Sequence, residues 1–335
     1  MKFITVTTLL LSLLISSVLI GGTAPNSVLS SGNWYKISVA QTGMFKIDYQ
    51  LLKSIGINPD NIDPRNISIY GNGGGILPEL NSVSRHDDLV ENPILIVGEG
   101  DGKFDPGDYI LFYAEGPSLW SYNATDGSFQ YNMNTYADEN YYFITVGANA
   151  GKRTSNAPSV GTANNSTSTF DELQQYEVDE KNLGATGREW YGDFYNFSIT
   201  NRTYNFNLPN VVTTEPVNIT TEFAAKSTNN ASAVSVKANG QNIASLSLGA
   251  TGSSSYPPFA TSATQQGSIT LNSSTLGVQV SFSNASSSAE GYLNYIKVQC
   301  RRSLVFSGTS FNFRDSRTVG AGNVTEYTIQ GGNGN

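Results

Sequence analysis

The chain has 335 residues, enough for about two domains that each bury a core. Charged residues make up only 14%, with 18 Tyr and 16 Phe, the profile of β-rich extracytoplasmic proteins, in which aromatic residues fill strands and Gly, Asn and Ser fill turns. A net charge of −8 excludes nucleic acid as a partner, because phosphate neutralisation needs clustered cations, and the single cysteine, Cys300, excludes an internal disulfide.

Lys2 precedes an apolar run from Phe3 to Ile20 and a Gly-Gly-Thr-Ala exit, which predicts a secretory signal peptide over residues 1–24. The competing reading is an uncleaved membrane anchor. Residues 32–49 alternate, with Trp34, Lys36 and Ser38 on one face and Tyr35, Ile37 and Val39 on the other. A turn at Gln41-Thr42-Gly43 then predicts a hairpin. Leu51, Leu52 and Ile55 fall at helical spacing before Gly56, which predicts one short helix. A strand at Ile67–Tyr70 leads into a glycine loop, 71–75. The loop lacks the Lys-Ser/Thr of a phosphate-binding loop and reads as a flexible turn. The apolar runs 92–98 and 108–116 suit strands buried on both faces, and 140–147 reads as a further strand. Residues 25–150 are therefore expected to form a mostly-β N-terminal domain.

Residues 151–169 are polar and aperiodic, a linker or long loop. From 170 to 310, strand-like runs are separated by Gly, Asn and Ser at roughly even spacing, the pattern of an antiparallel β-sandwich. Residues 311–335 read as a tail. The expected fold class is mainly β throughout.

Nucleophilic catalysis needs a base beside a thiol or hydroxyl. Cys300 shares a strand face with Ile296 and Val298 and so points into the sandwich core, whereas His86 lies in the polar loop Ser-Arg-His-Asp-Asp of the other domain. No catalytic residue is expected. The acid is concentrated: from Glu79 to Glu115 nine acidic residues stand against Arg85 and Lys103. Within that stretch Glu99, Asp101, Asp105 and Asp108 match positions 3, 5, 9 and 12 of a calcium loop, with Gly102 at position 6. Position 1 falls on Val97, which has no ligating side chain, and the last ligand is Asp rather than Glu. Two readings stay open: a calcium site, or a turn closed by Asx-type hydrogen bonds. Trp34, Trp120, Trp190 and Tyr191 are candidates for a sugar- or protein-binding aromatic platform, with core packing as the alternative.

Several stretches form an ordered set: 32–57, 70–81 (YGNGGGILPELN), 87–117 (DDLVENPILIVGEGDGKFDPGDYILFYAEGP), 141–147 and 187–197 (GREWYGDFYNF), with a looser continuation in YLNYIKVQCRRSL and FNFRDS. Together they resemble the N-terminal region of the PorU-type, gingipain-like cysteine peptidases (sortases) of the type IX secretion system. The resemblance implies a Sec-exported protein associated with the cell surface and outer membrane. It also implies partnership with an outer-membrane secretion-system protein and with secreted cargo, whose C-terminal sorting domains such enzymes remove and replace by transpeptidation. The family's Cys–His dyad belongs to a caspase-like domain C-terminal to the matching region. His86 is followed by Asp87 where the family's catalytic His is followed by Gly, so no catalytic role carries over to this chain. The resemblance thus implies a structural or docking module that is inactive alone.

Overall fold

The computed structural model describes residues 26–332 apart from 126, 159, 186, 188 and 309, so the expected signal peptide lies outside the described residues. The chain divides into two compact units: residues up to 120 with 132–157, and residues 121–131 with 158 onward.

The first unit carries β1 (Trp34–Val39), β2 (Gly43–Asp48), the helix α1 (Tyr49–Ser54), β3 (Ile67–Tyr70), β4 (Glu91–Asn92), β5 (Leu95–Val97) and β6 (Tyr109–Ala114). The hairpin β7 (Leu119–Asn123) and β8 (Ser128–Asn132) follows, its residues 121–131 belonging to the second unit, and then β9 (Asn140–Val146) in the first. One sheet runs β1-β9-β3-β4 and another β2-β6-β5. The helix starts at Asp48, whose carboxylate accepts the Leu51 N–H at 2.9 Å, and it buries only Leu52. The core is built of Ile47, Leu52, Ile67, Ile94, Phe112, Tyr142 and their neighbours.

Three expectations for this unit are corrected. β1 and β2 do not pair with each other: β1 pairs with β9, and β2 pairs with β6. Alternation shows which face a strand buries but not its partner, and here the remote apolar strands compete better than the local turn. The runs 92–98 and 108–116 are not buried on both faces. β5 is an edge strand that buries Ile96 and exposes Leu95 and Val97, and β6 alternates, exposing Tyr113. The glycine loop is not a loose turn either. Its Gly74 N–H donates to Glu115 Oε2 at 2.9 Å and its Gly75 N–H to the Pro117 carbonyl at 3.2 Å.

The second unit carries β10 (Asn165–Thr167), β11 (Thr169–Glu177), β12 (Lys181–Asn182), β13 (Trp190–Tyr191), β14 (Phe194–Tyr195), β15 (Asn201–Asn207) and β16 (Val217–Lys226). It continues with β17 (Ser232–Ala238), β18 (Gln241–Leu248), β19 (Thr261–Ile269), β20 (Thr275–Ser283), β21 (Glu290–Ser303) and β22 (Thr325–Tyr327). The sheets β11-β21-β16-β19 and β15-β20-β17-β18 enclose one core, to which both contribute: Ile219, Phe223, Ile296 and Val298 from the first, Val234, Val236, Val278 and Phe282 from the second. This is the expected antiparallel sandwich, and its inward residues alternate with outward ones along each strand.

The two flanks of the sandwich differ. On one, β18 lies hard against β19: a Cβ added to Gly267 would fall 2.5 Å from the Ile243 carbonyl oxygen. On the other, the edge strands are β11 and β15. The segment expected to be a linker is divided. Its start stays in the first unit, where the Thr154 N–H donates to the Ile94 carbonyl at 3.0 Å, and its end forms β10, which pairs in parallel with β22 from the expected tail.

Candidate functional site

The acidic turn lies between β5 and β6. Glu99 Oε2 accepts from Arg153 Nε at 2.9 Å. Asp101 Oδ1 accepts the Lys103 N–H at 3.0 Å, and Asp108 Oδ2 accepts the Asp105 N–H at 2.8 Å. The Asp108 carboxylate is tucked against Gly98, which sits at φ +101°. A Cβ there would fall 1.8 Å from Asp108 Oδ1, so this place needs glycine for both backbone and space. Among the described residues no group of three or more His, Cys, Asp or Glu is placed to hold a metal ion. The structure therefore does not assemble Glu99, Asp101, Asp105 and Asp108 into the candidate calcium site. Asp101 and Asp108 each close a turn through a backbone amide, and Glu99 is drawn to a guanidinium.

Cys300 lies 4% exposed in the sandwich core, where burial, with Glu172 adding to it, pushes its thiol up to about 12. His86 is exposed in the other unit. A thiol kept protonated is a poor nucleophile, and no imidazole accompanies it within its unit. Two of the aromatic candidates are held by local contacts. Trp34 donates its Nε1 hydrogen to the Ser31 carbonyl at 2.7 Å and packs edge-on to Tyr70, while Tyr191 is 3% exposed in a core cluster with Leu183 and Tyr292. Trp120 and Trp190 are half-buried, in different units.

Among the cavities lined by described residues of the second unit, two are large. One, of about 660 Å³, lies among Leu183, Tyr191, Lys226 and Phe259. Lys226 Nζ sits 4.6 Å above the Phe259 ring and 3.7 Å from Glu290 Oε2. The other, of about 780 Å³, lies on the open flank, between β11 and β15. At it, Asp193 Oδ2 accepts from Tyr176 Oη at 2.7 Å and from Tyr204 Oη at 2.9 Å, and Tyr195 Oη is 2.8 Å from Tyr204 Oη. Burial and the Asp193 hydrogen bond push Tyr176 up to about 12, so these phenols stay donors. Sequence reasoning missed this network, because Asp193 lies some residues from each tyrosine and only the sandwich gathers them. It also missed Glu177, which burial pushes up to about 7, with Asp179 and Glu222 adding to the rise and a hydrogen bond from Gln175 opposing it.

No protein-family profile matches the chain, and no curated protein matches it. A crystal structure of dimeric latent PorU from Porphyromonas gingivalis superposes on 89% of this chain at a TM-score of 0.70 and 24% identity. Its fold is that of a segment of PorU. The chain spans 27% of that PorU chain. A carbohydrate-binding module in complex with calcium and xylotriose matches 37% of this chain and 98% of its own, at 14% identity and a TM-score of 0.24. An insecticidal delta-endotoxin from Bacillus thuringiensis matches 69% and 41%, at 12% identity and 0.27. Likenesses that low carry no argument.

The PorU-like stretches in the C-terminal half meet in space. Arg301, from the CRRSL stretch, donates from Nη1 to Asp315 Oδ1 of FNFRDS at 2.6 Å and to Asp171 Oδ1 of β11 at 2.8 Å, with all three side chains at most 6% exposed. Its Nη2 donates to Thr169 Oγ1 at 2.6 Å, and the Ser316 N–H donates to Asp171 Oδ2 at 2.7 Å. Beside it Arg302 pairs with Glu172. Two motifs that look unrelated in the PorU-like sequence are thus halves of one buried ionic clamp, which fastens the segment after β21 onto the sandwich.

Proposed function

We propose that this chain is the non-catalytic N-terminal region of a PorU-like peptidase and transpeptidase of the type IX secretion system, which processes the C-terminal sorting domains of secreted cargo. It acts as a structural and docking module, exported by a Sec signal to the outer-membrane-associated cell surface. An outer-membrane secretion-system protein and the cargo are its partners. The observation that carries the reading is the PorU fold over 89% of the chain. The burial of the single thiol supports the non-catalytic part.

Incubating the chain with a sorting-domain substrate tests it. The expected result is intact substrate over many hours, with or without reductant. Cleavage abolished by a thiol-alkylating reagent would place a reaction centre here and overturn the reading.

A further inference from the structure

We propose that the slot between the edge strands β11 and β15 binds an extended peptide segment of a partner polypeptide, which adds as a strand to β15. This inference stands on the sandwich alone and does not depend on the PorU reading.

The slot is lined by consecutive residues of both strands, Gln174 to Tyr176 and Thr203 to Phe206. Successive side chains of a strand point to opposite faces, so a cavity touching neighbours in sequence touches the strand's edge. Its walls therefore include main-chain amides and carbonyls beside the Asp193, Tyr176 and Tyr204 side chains. Parity fixes which ones. The Phe282 N–H donates to the Thr200 carbonyl and the Leu208 N–H to the Ser274 carbonyl, so the even-numbered residues of β15 face β20. The outward groups are those of Thr203, Asn205 and Asn207. The Asn207 carbonyl is taken by Gln174 Nε2 at 3.0 Å, which closes one end of the slot. The amides of Thr203 and Asn205 meet no partner among the described residues.

The opposite wall shows how such an edge is used. On β11 the outward Asp171 N–H is paired with the Arg314 carbonyl at 2.8 Å, a strand-like contact made by the segment after β21. The next free outward position that lines the slot is Gln175. At the far end Arg202 makes long polar contacts, 3.4 Å to Asp193 Oδ1 and 3.3 Å to the Phe194 carbonyl, and lies 5.8 Å from the Tyr195 ring. The Asp193–Arg202 pair is electrically balanced, so main-chain polarity rather than ligand charge governs recognition. At about 3.3 Å per residue, four residues of β15 fit three or four residues of added strand.

The test is a selection of phage-displayed random linear dodecapeptides on the full chain, followed by titration of a selected synthetic peptide. Asn205→Pro removes an outward N–H without touching the β15–β20 ladder and should weaken binding about tenfold or more. Asn205→Ala keeps the main chain and should change affinity less than about twofold. In the unsubstituted chain, bound peptide should slow amide exchange at Thr203 and Asn205 and leave Tyr204 and Phe206 unchanged. That readout decides the matter by itself if the proline variant does not fold. Three results would overturn the proposal: no selectable peptide, peptides that leave the amides of residues 203 and 205 unprotected, or protection of the slot by a neutral oligosaccharide such as cellohexaose in place of peptide.

Discussion

Glu177 carries a carboxyl where the sheet offers it little compensation. It lies opposite Tyr295 on β21, which in turn lies opposite Glu222 on β16, so one cross-strand row holds two acids around a tyrosine. Gln175 Nε2 donates to Glu177 Oε2 at 2.5 Å, yet burial prevails and the group titrates near 7. Below the unfolded pKa both states hold the proton and nothing is lost. As pH rises from about 4.5 the unfolded chain ionises first, so the folded state loses stability until the pH passes about 7. Glu177→Gln removes that titration. Its melting temperature should match the unsubstituted chain near pH 4 and exceed it by about 2–5 °C near pH 8. A difference that does not change between those pH values would show that the carboxyl is not buried as described. The same reasoning separates Glu177 from Asp315: burial raises the Asp315 carboxyl too, but hydrogen bonds from Thr318 and Arg301 outweigh it and hold the group below the usual range.

The strands of the sandwich are tied unequally. Where β18 meets β19, the backbones approach because Gly267 has no side chain: an added Cβ would lie 2.5 Å from the Ile243 carbonyl oxygen and 2.9 Å from its Cβ. Gly267→Ala should cost about 1–3 kcal/mol in denaturant unfolding, since neither backbone can yield freely. Gly277→Ala on β20 is the control, because its added Cβ would meet nothing nearer than 3.6 Å, and it should be close to neutral. Equal effects would mean that the β18–β19 contact is looser than it looks. Such contacts mark the boundary of what the sequence shows. β15 to β21 are legible because their alternation is local, and Cys300 falls on the inward face as its neighbours Ile296 and Val298 require. Pairing is not legible where it joins remote segments. β1 alternates as a hairpin strand would, yet takes β9, and the FRDS stretch shows no periodicity although Asp315 holds Arg301. The acidic turn had two readings because spacing gives the positions of Asp101 and Asp108 but not the amides they reach. The slot between β11 and β15 had no sequence signal at all, since it consists of what two separate edges leave unpaired.

At the scale of the chain, the two units are interleaved in sequence rather than consecutive. The tip of the β7–β8 hairpin, residues 121–131, belongs to the second unit although the residues on either side belong to the first. Its contacts are specific: Lys297 Nζ donates to the Phe129 carbonyl at 2.6 Å, the Phe129 N–H reaches Gln299 Oε1 at 3.5 Å, and Phe129 is 6% exposed against Tyr122. Lys297 and Gln299 project from the face of β21 opposite to Val298 and Cys300, so the tip covers the polar side of that sheet. A polypeptide beginning at residue 158 would keep the sandwich core but lose this cover. Burying one phenylalanine is worth about 1.5–3 kcal/mol, and each degree of melting temperature is costly in a unit of this size, so the shortened chain should melt roughly 5–10 °C below the sandwich transition of the full chain. Adding residues 121–131 back as a separate peptide should raise it again, in a concentration-dependent way. If the sandwich melts at the same temperature in the shortened and the full chain, the tip is a passenger on the sheet, and the boundary between the units would be a simple cut near residue 158.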